Sequence, residues 1–193
     1  MEATFSDLTL RTAPGRVFNP RPATEKLVDR TLELADDRPL RVADIGTGTG
    51  AIAVALAVKA PKLELWATDT SADAVSLARE IAARLGVGER VHVVRGDLLD
   101  PLPGAFDLIV ANLPYLPEAL HDTRYDDEPH EAIYAPGDGL LYYRRLLDAC
   151  RDGKLVTPGG AVLLQFHRDV LAANCWELED LRARLDKLQR VAA

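Results

Sequence analysis

Residues 41–60, Arg41-Val42-Ala43-Asp44-Ile45-Gly46-Thr47-Gly48-Thr49-Gly50-Ala51-Ile52-Ala53-Val54-Ala55-Leu56-Ala57-Val58-Lys59-Ala60, decide the fold. A short apolar run holding one acid reads as a buried strand over 41–45. Three alternating glycines follow, and the alanine-rich run after them reads as a helix that stops before Pro61. Glycines at 46, 48 and 50 let the backbone turn tightly and approach a ligand, while the helix N-terminus beyond them offers unpaired N–H groups.

The same unit repeats downstream. Residues 63–68 form an alternating apolar run that ends at Asp69. Ser71 is a predicted N-cap, with Asp73 in the first turn, for a helix to about residue 85 closed by Gly86. Further strands are predicted over 90–94, 106–111 and 161–166, and residues 140–150 carry helical periodicity. Strands separated by helices of this length imply right-handed crossovers, hence an α/β, doubly wound, mainly parallel, Rossmann-like sheet covered on both faces. Ligands of such sheets sit beyond the C-terminal strand ends. The chain places Asp44 to Gly50, Asp69, Asp97 and Asn112 there.

Two segments flank this alternation. Residues 4–18, with Pro14-Gly15 as the turn, are predicted to form a hairpin leading into a helix over 24–34. Near the other end Leu171, Leu178 and Leu185 interleave with Leu181 and Leu188 in a 3–4 spacing, an amphipathic helical stripe. Acids precede bases along it (Glu177, Glu179, Asp180, then Arg182, Arg184, Lys187, Arg190), as the helix dipole favours. The expected organisation is an N-terminal hairpin and helix over 1–35, a ligand-binding core over 36–167 and the leucine-striped helix over 168–193. Nothing after residue 168 reads as the usual final antiparallel strand pair. The leucine stripe either packs on the chain's own sheet or pairs with a second copy as a homodimer.

The bulk properties exclude some functions. At 193 residues, 48% hydrophobic and 27% charged, the chain suits one soluble domain. Its formal net charge of -7 disfavours tight, phosphate-driven nucleic-acid binding. The start lacks a basic segment followed by an apolar run, and the apolar stretch over 51–58 is too short to span a bilayer, so no membrane association and a cytoplasmic location are expected. Cys150 and Cys175 lack metal-ligand spacing and read as reduced thiols; no metal is expected.

Taken alone the glycine loop is ambiguous, because Gly46-x-Gly48-x-x-Ala51 also fits a dinucleotide fingerprint. Its acidic neighbours separate the readings. Asp44, two residues before the loop, is poorly placed for a pyrophosphate but well placed to orient the cationic amino-acid end of S-adenosylmethionine. Asp69 can accept both ribose hydroxyls of either cofactor, and Asp97 can accept from an adenine amino group. Any one of these acids alone could be a solvated loop residue or a cap; three at successive strand ends beside a glycine loop are unlike coincidence.

After the fourth core strand comes Asn112-Leu113-Pro114-Tyr115. Alone it reads as a turn. Together with Asp44-x-Gly46-x-Gly48-x-Gly50 it resembles the class I methyltransferases that modify planar nitrogens. Three more segments resemble the HemK/PrmC protein-(glutamine-N5) methyltransferases: Asn19-Pro20-Arg21-Pro22-Ala23-Thr24-Glu25, Glu128-Pro129-His130-Glu131-Ala132 and Gly137-Asp138-Gly139-Leu140. The similarity runs over about residues 16–166. The resemblance implies S-adenosyl-L-methionine as cofactor and a protein substrate of the release-factor type. It implies Asn112, Leu113, Pro114 and Tyr115 as catalytic residues, and Thr24, Asp44, Gly46, Thr47, Gly48, Gly50, Asp69, Thr70, Asp97, Leu98 and Asn112 around the cofactor.

The chemistry suits those residue types. An amide nitrogen is a poor nucleophile, its lone pair being delocalised into the carbonyl. The Asn112 side-chain oxygen and the Leu113 backbone carbonyl can accept both amide N–H groups, fixing the nitrogen and favouring positive charge there. Pro114 holds Leu113 extended, so that carbonyl is aimed whatever side chain precedes the proline; Tyr115 would pack on the flat substrate group. The chain departs from the family at Ala23, where an acid is usual, at Leu113, where proline is usual, and in opening almost directly on the catalytic domain. Three other functions compete: a nucleobase amino methyltransferase, opposed by the acids Asp122, Asp126, Asp127, Glu128 and Glu131; an NAD-dependent oxidoreductase, opposed by Asp44 and residues 112–115; and a non-catalytic cofactor-binding scaffold.

Overall fold

The computed structural model describes residues 1–152 and 155–166. Its centre is a five-stranded sheet built from β3 (Arg41–Ile45), β4 (Glu64–Asp69), β5 (Val91–Arg95), β6 (Phe106–Ala111) and β9 (Val156–Leu164). The strands lie in the order β5-β4-β3-β6-β9, and every pairing is parallel. Such strands are buried on both faces, which is why they read as nearly continuous apolar runs. In β6, Leu108 and Val110 join one core cluster, while Ile109 and Ala111 join the other.

The first cluster packs under α1 (Glu25–Ala35), α2 (Ala51–Lys59) and α3 (Ala72–Arg84). The second packs under α5 (Leu141–Asp152), through Tyr143, Leu146 and Cys150. Residues Ala51 to Ala57 of α2 are all buried, so a helix without a polar face fits only between sheet, α1 and α3. Ser71 caps α3 by accepting the Ala74 N–H at 3.3 Å, as its position predicts. The chain runs from β3 outward to β5, then returns to the far side of β3 with β6. The loops after β3 and β6 therefore part at the switch point, opening a crevice between them.

Two expectations need correction. The N-terminal hairpin is tighter than its sequence suggests: β1 (Glu2–Phe5) pairs with β2 (Leu8–Arg11), turning at Ser6 and Asp7 rather than at Pro14-Gly15. Both turn residues have positive φ, 49° and 67°, the two-residue turn whose twist matches paired strands. Pro14-Gly15 makes a separate turn, with the Arg16 N–H on the Ala13 carbonyl at 3.0 Å. The hairpin's Phe5 and Leu10 are fully buried, each stabilising the fold by about 1.5–3 kcal/mol. The second correction concerns β9, which starts at Val156, five residues before the expected strand. Its partner register jumps between Val156 and Ala161, the irregularity absorbing Thr157-Pro158-Gly159-Gly160. Two short strands, β7 (Leu116–Pro117) and β8 (Tyr134–Ala135), pair beside α4 (His130–Ile133). The leucine stripe and Cys175 lie outside the described residues.

Candidate functional site

The crevice at the switch point is a cavity of about 220 Å³, walled by residues 46–49, 68–71 and 112–114 with Gly96 and Leu98. Gly46, Gly48 and Gly50 all have positive φ, at 70°, 56° and 80°, the left-handed region that other residues enter with strain. Each serves differently. A Cβ at Gly46 would lie 2.7 Å from Leu113 Cδ2, so glycine lets the loop after β3 seat against the loop after β6. Gly48 donates its N–H to Asp69 Oδ2 at 2.9 Å. Gly50 does not line the cavity; its missing side chain lets α2 approach Ala78 of α3, where a Cβ would sit 2.9 Å from Ala78 Cβ.

Asp44 is fully buried and lies behind the loop rather than on the cavity wall. Its Oδ2 accepts the Thr47 hydroxyl at 2.6 Å and the Ala53 N–H at 3.2 Å. Its Oδ1 has no partner among the described residues. Burial pushes its pKa up to about 6, against the pull of those two bonds. Ala53 belongs to the first turn of α2, so Asp44 already occupies an N–H that a pyrophosphate would seek.

Asp69 faces the cavity, with Oδ1 taking the Ser71 N–H at 2.9 Å. Burial raises its pKa; the Ser71, Gly48 and Thr70 N–H groups oppose the rise, and the charge of Glu131 adds to it. Thr70 and Leu98 also line the cavity. Asp97 is absent from the wall: its carboxylate turns outward to Arg145 at 2.6 Å, leaving Gly96 and Leu98 on the wall after β5.

Asn112 stands at the end of β6. Its side-chain nitrogen donates to Thr24 Oγ1 at 3.3 Å, and no hydrogen bond among the described residues reaches its Oδ1. Thr24 is buried and lines the cavity, as do Leu113 and Pro114. Tyr115 does not; it is partly buried beside the second core cluster.

Several wall residues carry no signal at the glycine loop or strand ends. Phe5 reaches the cavity from the hairpin, with Phe18 and Arg21 from the segment after it and Glu131 from α4. The Glu128 side chain is only 4% exposed. It accepts the Asn19 N–H and Nδ2 at 3.1 Å each and Arg21 Nη2 at 2.6 Å. This joins two of the motif-bearing segments across 107 residues, a distance no local pattern reveals. The Arg21 guanidinium lies 5.3 Å from the Phe18 ring centre and 5.7 Å from that of Tyr125, within cation–π range.

The charges at this wall favour a cation. Asp69 and Glu131 face it, and Asp44 lies just behind. The two arginines present, Arg16 and Arg21, are held by Asp73 and Glu128. A sulfonium ligand with an ammonium group suits that surrounding; a pyrophosphate does not. Among the described residues no cluster of three or more His, Cys, Asp or Glu could hold a metal, and no helix is long and apolar enough to cross a membrane.

Known proteins resemble this chain in sequence and fold. The model of the methyltransferase small domain family matches residues 21–125. The release factor glutamine methyltransferase of Deinococcus radiodurans is 44% identical over 158 residues, covering 80% of this chain and 55% of that protein. Its Escherichia coli (strain K12) counterpart is 36% identical over 165 residues, covering 83% of this chain and 58% of that protein. The chain therefore spans little more than half the length of the curated relatives it matches. Among solved structures, a ribosomal protein L11 methylase from Lactobacillus delbrueckii subsp. bulgaricus superposes with TM-score 0.63 at 25% identity, over 91% of this chain and 72% of that one.

Proposed function

Because the chain belongs to the methyltransferase small domain family, we propose that it transfers a methyl group from S-adenosylmethionine to the side-chain amide nitrogen of a protein glutamine, the substrate being a translation release factor. The observation that carries this reading is the Asn112–Thr24 contact. By engaging the amide nitrogen of Asn112, Thr24 leaves Oδ1 as an acceptor on the cavity wall, the polarity a substrate N–H requires. The similarity to release factor glutamine methyltransferases supports the choice of substrate.

S-adenosylmethionine supplies an electrophilic methyl on a sulfonium. For this chain's part, the Asp69 carboxylate would hold the ribose hydroxyls, while Gly48 and Thr49 let backbone approach the ligand. Gly96 and Leu98 would flank the base. Asp44 and Glu131 favour the positive charge of the amino-acid end. Asn112 Oδ1 and the Leu113 carbonyl orient the two N–H bonds of the substrate amide and favour the positive charge that develops on its nitrogen. From the N-terminal segment, Phe5, Phe18, Arg21 and Thr24 line the cavity and would contribute to this site.

The acceptor pair would also serve an exocyclic base amino group. Glu131 on the cavity wall, with the exposed Asp126 and Asp127 a few residues before it, favours a protein over a phosphate backbone. The deciding experiment offers labelled methyl donor with release factors, ribosomal proteins or RNA. Label in release factors, at glutamine, is the expected result; label confined to RNA overturns the assignment. Calorimetric titration with S-adenosylmethionine and NAD tests the cofactor, and binding of NAD alone overturns it.

A further inference from the structure

The inward face of α5 carries the apolar Leu146 and Cys150, with Leu140 just before the helix in the same cluster, and one polar exception, the hydroxyl of Tyr143. Tyr143 is 2% exposed, and its ring packs on Phe166 with centroids 4.2 Å apart. A phenylalanine would fill that place as well, so packing does not account for the oxygen. Its partners do. The Leu113 N–H donates to it at 3.0 Å. The hydroxyl lies 2.6 Å from the Gln165 carbonyl and 3.1 Å from the Leu113 carbonyl. One proton cannot serve both, and the shorter contact takes it. Tyr143 thus ties Leu113 to the end of β9 while leaving the Leu113 carbonyl its lone pairs. Burial pushes the phenol well above its ordinary pKa, so the group stays neutral and keeps this arrangement.

A second contact holds the same loop from the same side. Gly139, with φ +85°, leads into α5, and a Cβ there would collide with the Tyr115 carbonyl oxygen. The residues on both sides of Pro114 are therefore seated against the start of α5. We propose that Tyr143 is a positioning residue for methyl transfer, fixing the Leu113 backbone so that its carbonyl meets one N–H of the substrate amide. The proposal rests on the glutamine reading for its chemistry, and on the hydrogen bonds above for its geometry.

The test is Tyr143→Phe, which removes one oxygen and keeps the ring on Phe166. Amide hydrogen exchange of Leu113, read by NMR on the full chain, is expected to quicken by about tenfold or more. With a release factor as substrate, kcat should fall on the order of ten- to a hundredfold. The substrate KM and the dissociation constant of S-adenosylmethionine should stay within about twofold. Leu146→Ala serves as control: it truncates the same helix face and lowers the melting temperature, and kcat of its folded fraction should hold. Unchanged Leu113 exchange in Tyr143→Phe overturns the proposal. So does quickened exchange with unchanged kcat, or an equal kcat loss in Leu146→Ala. If the wild-type protein methylates no release factor, the functional reading fails separately, and the exchange result still decides whether Tyr143 positions the loop.

Discussion

Asn112 and Thr24, 88 residues apart in sequence, meet at 3.3 Å, the amide nitrogen donating to the threonine hydroxyl. This contact fixes which end of the Asn112 amide the cavity sees. Asn112→Ala removes the acceptor altogether, and methyl transfer should fall on the order of a hundred- to a thousandfold, the usual cost of losing one preorganised polar group. Thr24→Val keeps the acceptor but frees the amide to rotate, so its loss should be smaller, about tenfold. Calorimetry should find the cofactor bound normally in Asn112→Ala. An equal loss of binding and turnover would remove Asn112 from its assigned role.

Gly46 couples the two loops mechanically. Its φ of 70° already disfavours any side chain, and a Cβ would press on Leu113 Cδ2 at 2.7 Å. Gly46→Ala should therefore cost about 1–2 kcal/mol in backbone strain and displace the Leu113 side chain. The expected pattern is a lower melting temperature together with a fall in kcat that exceeds the loss of cofactor affinity. A variant that is merely less stable, with full turnover at low temperature, would show that the loops are independent.

The fold was legible where burial on both faces writes a continuous apolar run. Residues 41–45 and 106–111 coincide with β3 and β6, and the other core elements before residue 153 agree to within about two residues, the usual uncertainty of such boundaries. The errors fall where long-range pairing decides. Ser6-Asp7 carries no glycine to announce a hairpin, whereas Pro14-Gly15 does announce a turn and is one, of another kind. Thr157-Pro158-Gly159-Gly160 looks like a strand breaker, yet β9 runs through it with an irregular register against β6. In the site, the glycine loop and Asn112 were visible because backbone constraint and residue chemistry coincide there. Asp97 shows the limit of that reasoning: Arg145, from a helix 48 residues later, claims the carboxylate. Asp44 shows it too, since strand position says nothing of whether a carboxylate faces the cavity or the helix behind it.

Glu128 joins the Asn19–Arg21 segment to the rest of the cavity wall. Its carboxylate is nearly inaccessible, while the Arg21 side chain is 41% exposed, so part of the pair's attraction is screened. Removing the acceptor leaves the Asn19 N–H without its partner, and Glu128→Ala should cost about 1–3 kcal/mol of stability. Arg21 and Phe18 line the cavity, so cofactor affinity should weaken as well. Glu128→Gln, which retains one acceptor oxygen, should recover part of both. Thermal unfolding and calorimetry measure the two effects; stability lost with affinity intact would show that this clasp does not shape the cofactor site.

Asp44 should make cofactor binding pH-dependent. Burial raises its pKa from 3.8 to about 6, so in the free protein it is largely protonated below that value and ionised above it. A cationic ligand nearby favours the ionised form and must displace the proton when binding in mild acid. Affinity for S-adenosylmethionine should therefore rise as pH increases through about 6, by up to about tenfold between roughly pH 5 and pH 7. Stability runs the other way. The folded protein holds the Asp44 proton more tightly than the unfolded chain, so this group favours folding most below 3.8 and that contribution is lost as pH rises to about 6, a change on the order of 3 kcal/mol. Asp44→Asn keeps an oxygen for Thr47 and Ala53 but cannot ionise. It should flatten the affinity profile and remove the acid-side gain in stability relative to wild type. A wild-type affinity that does not change with pH across this range would separate Asp44 from the cofactor's charge.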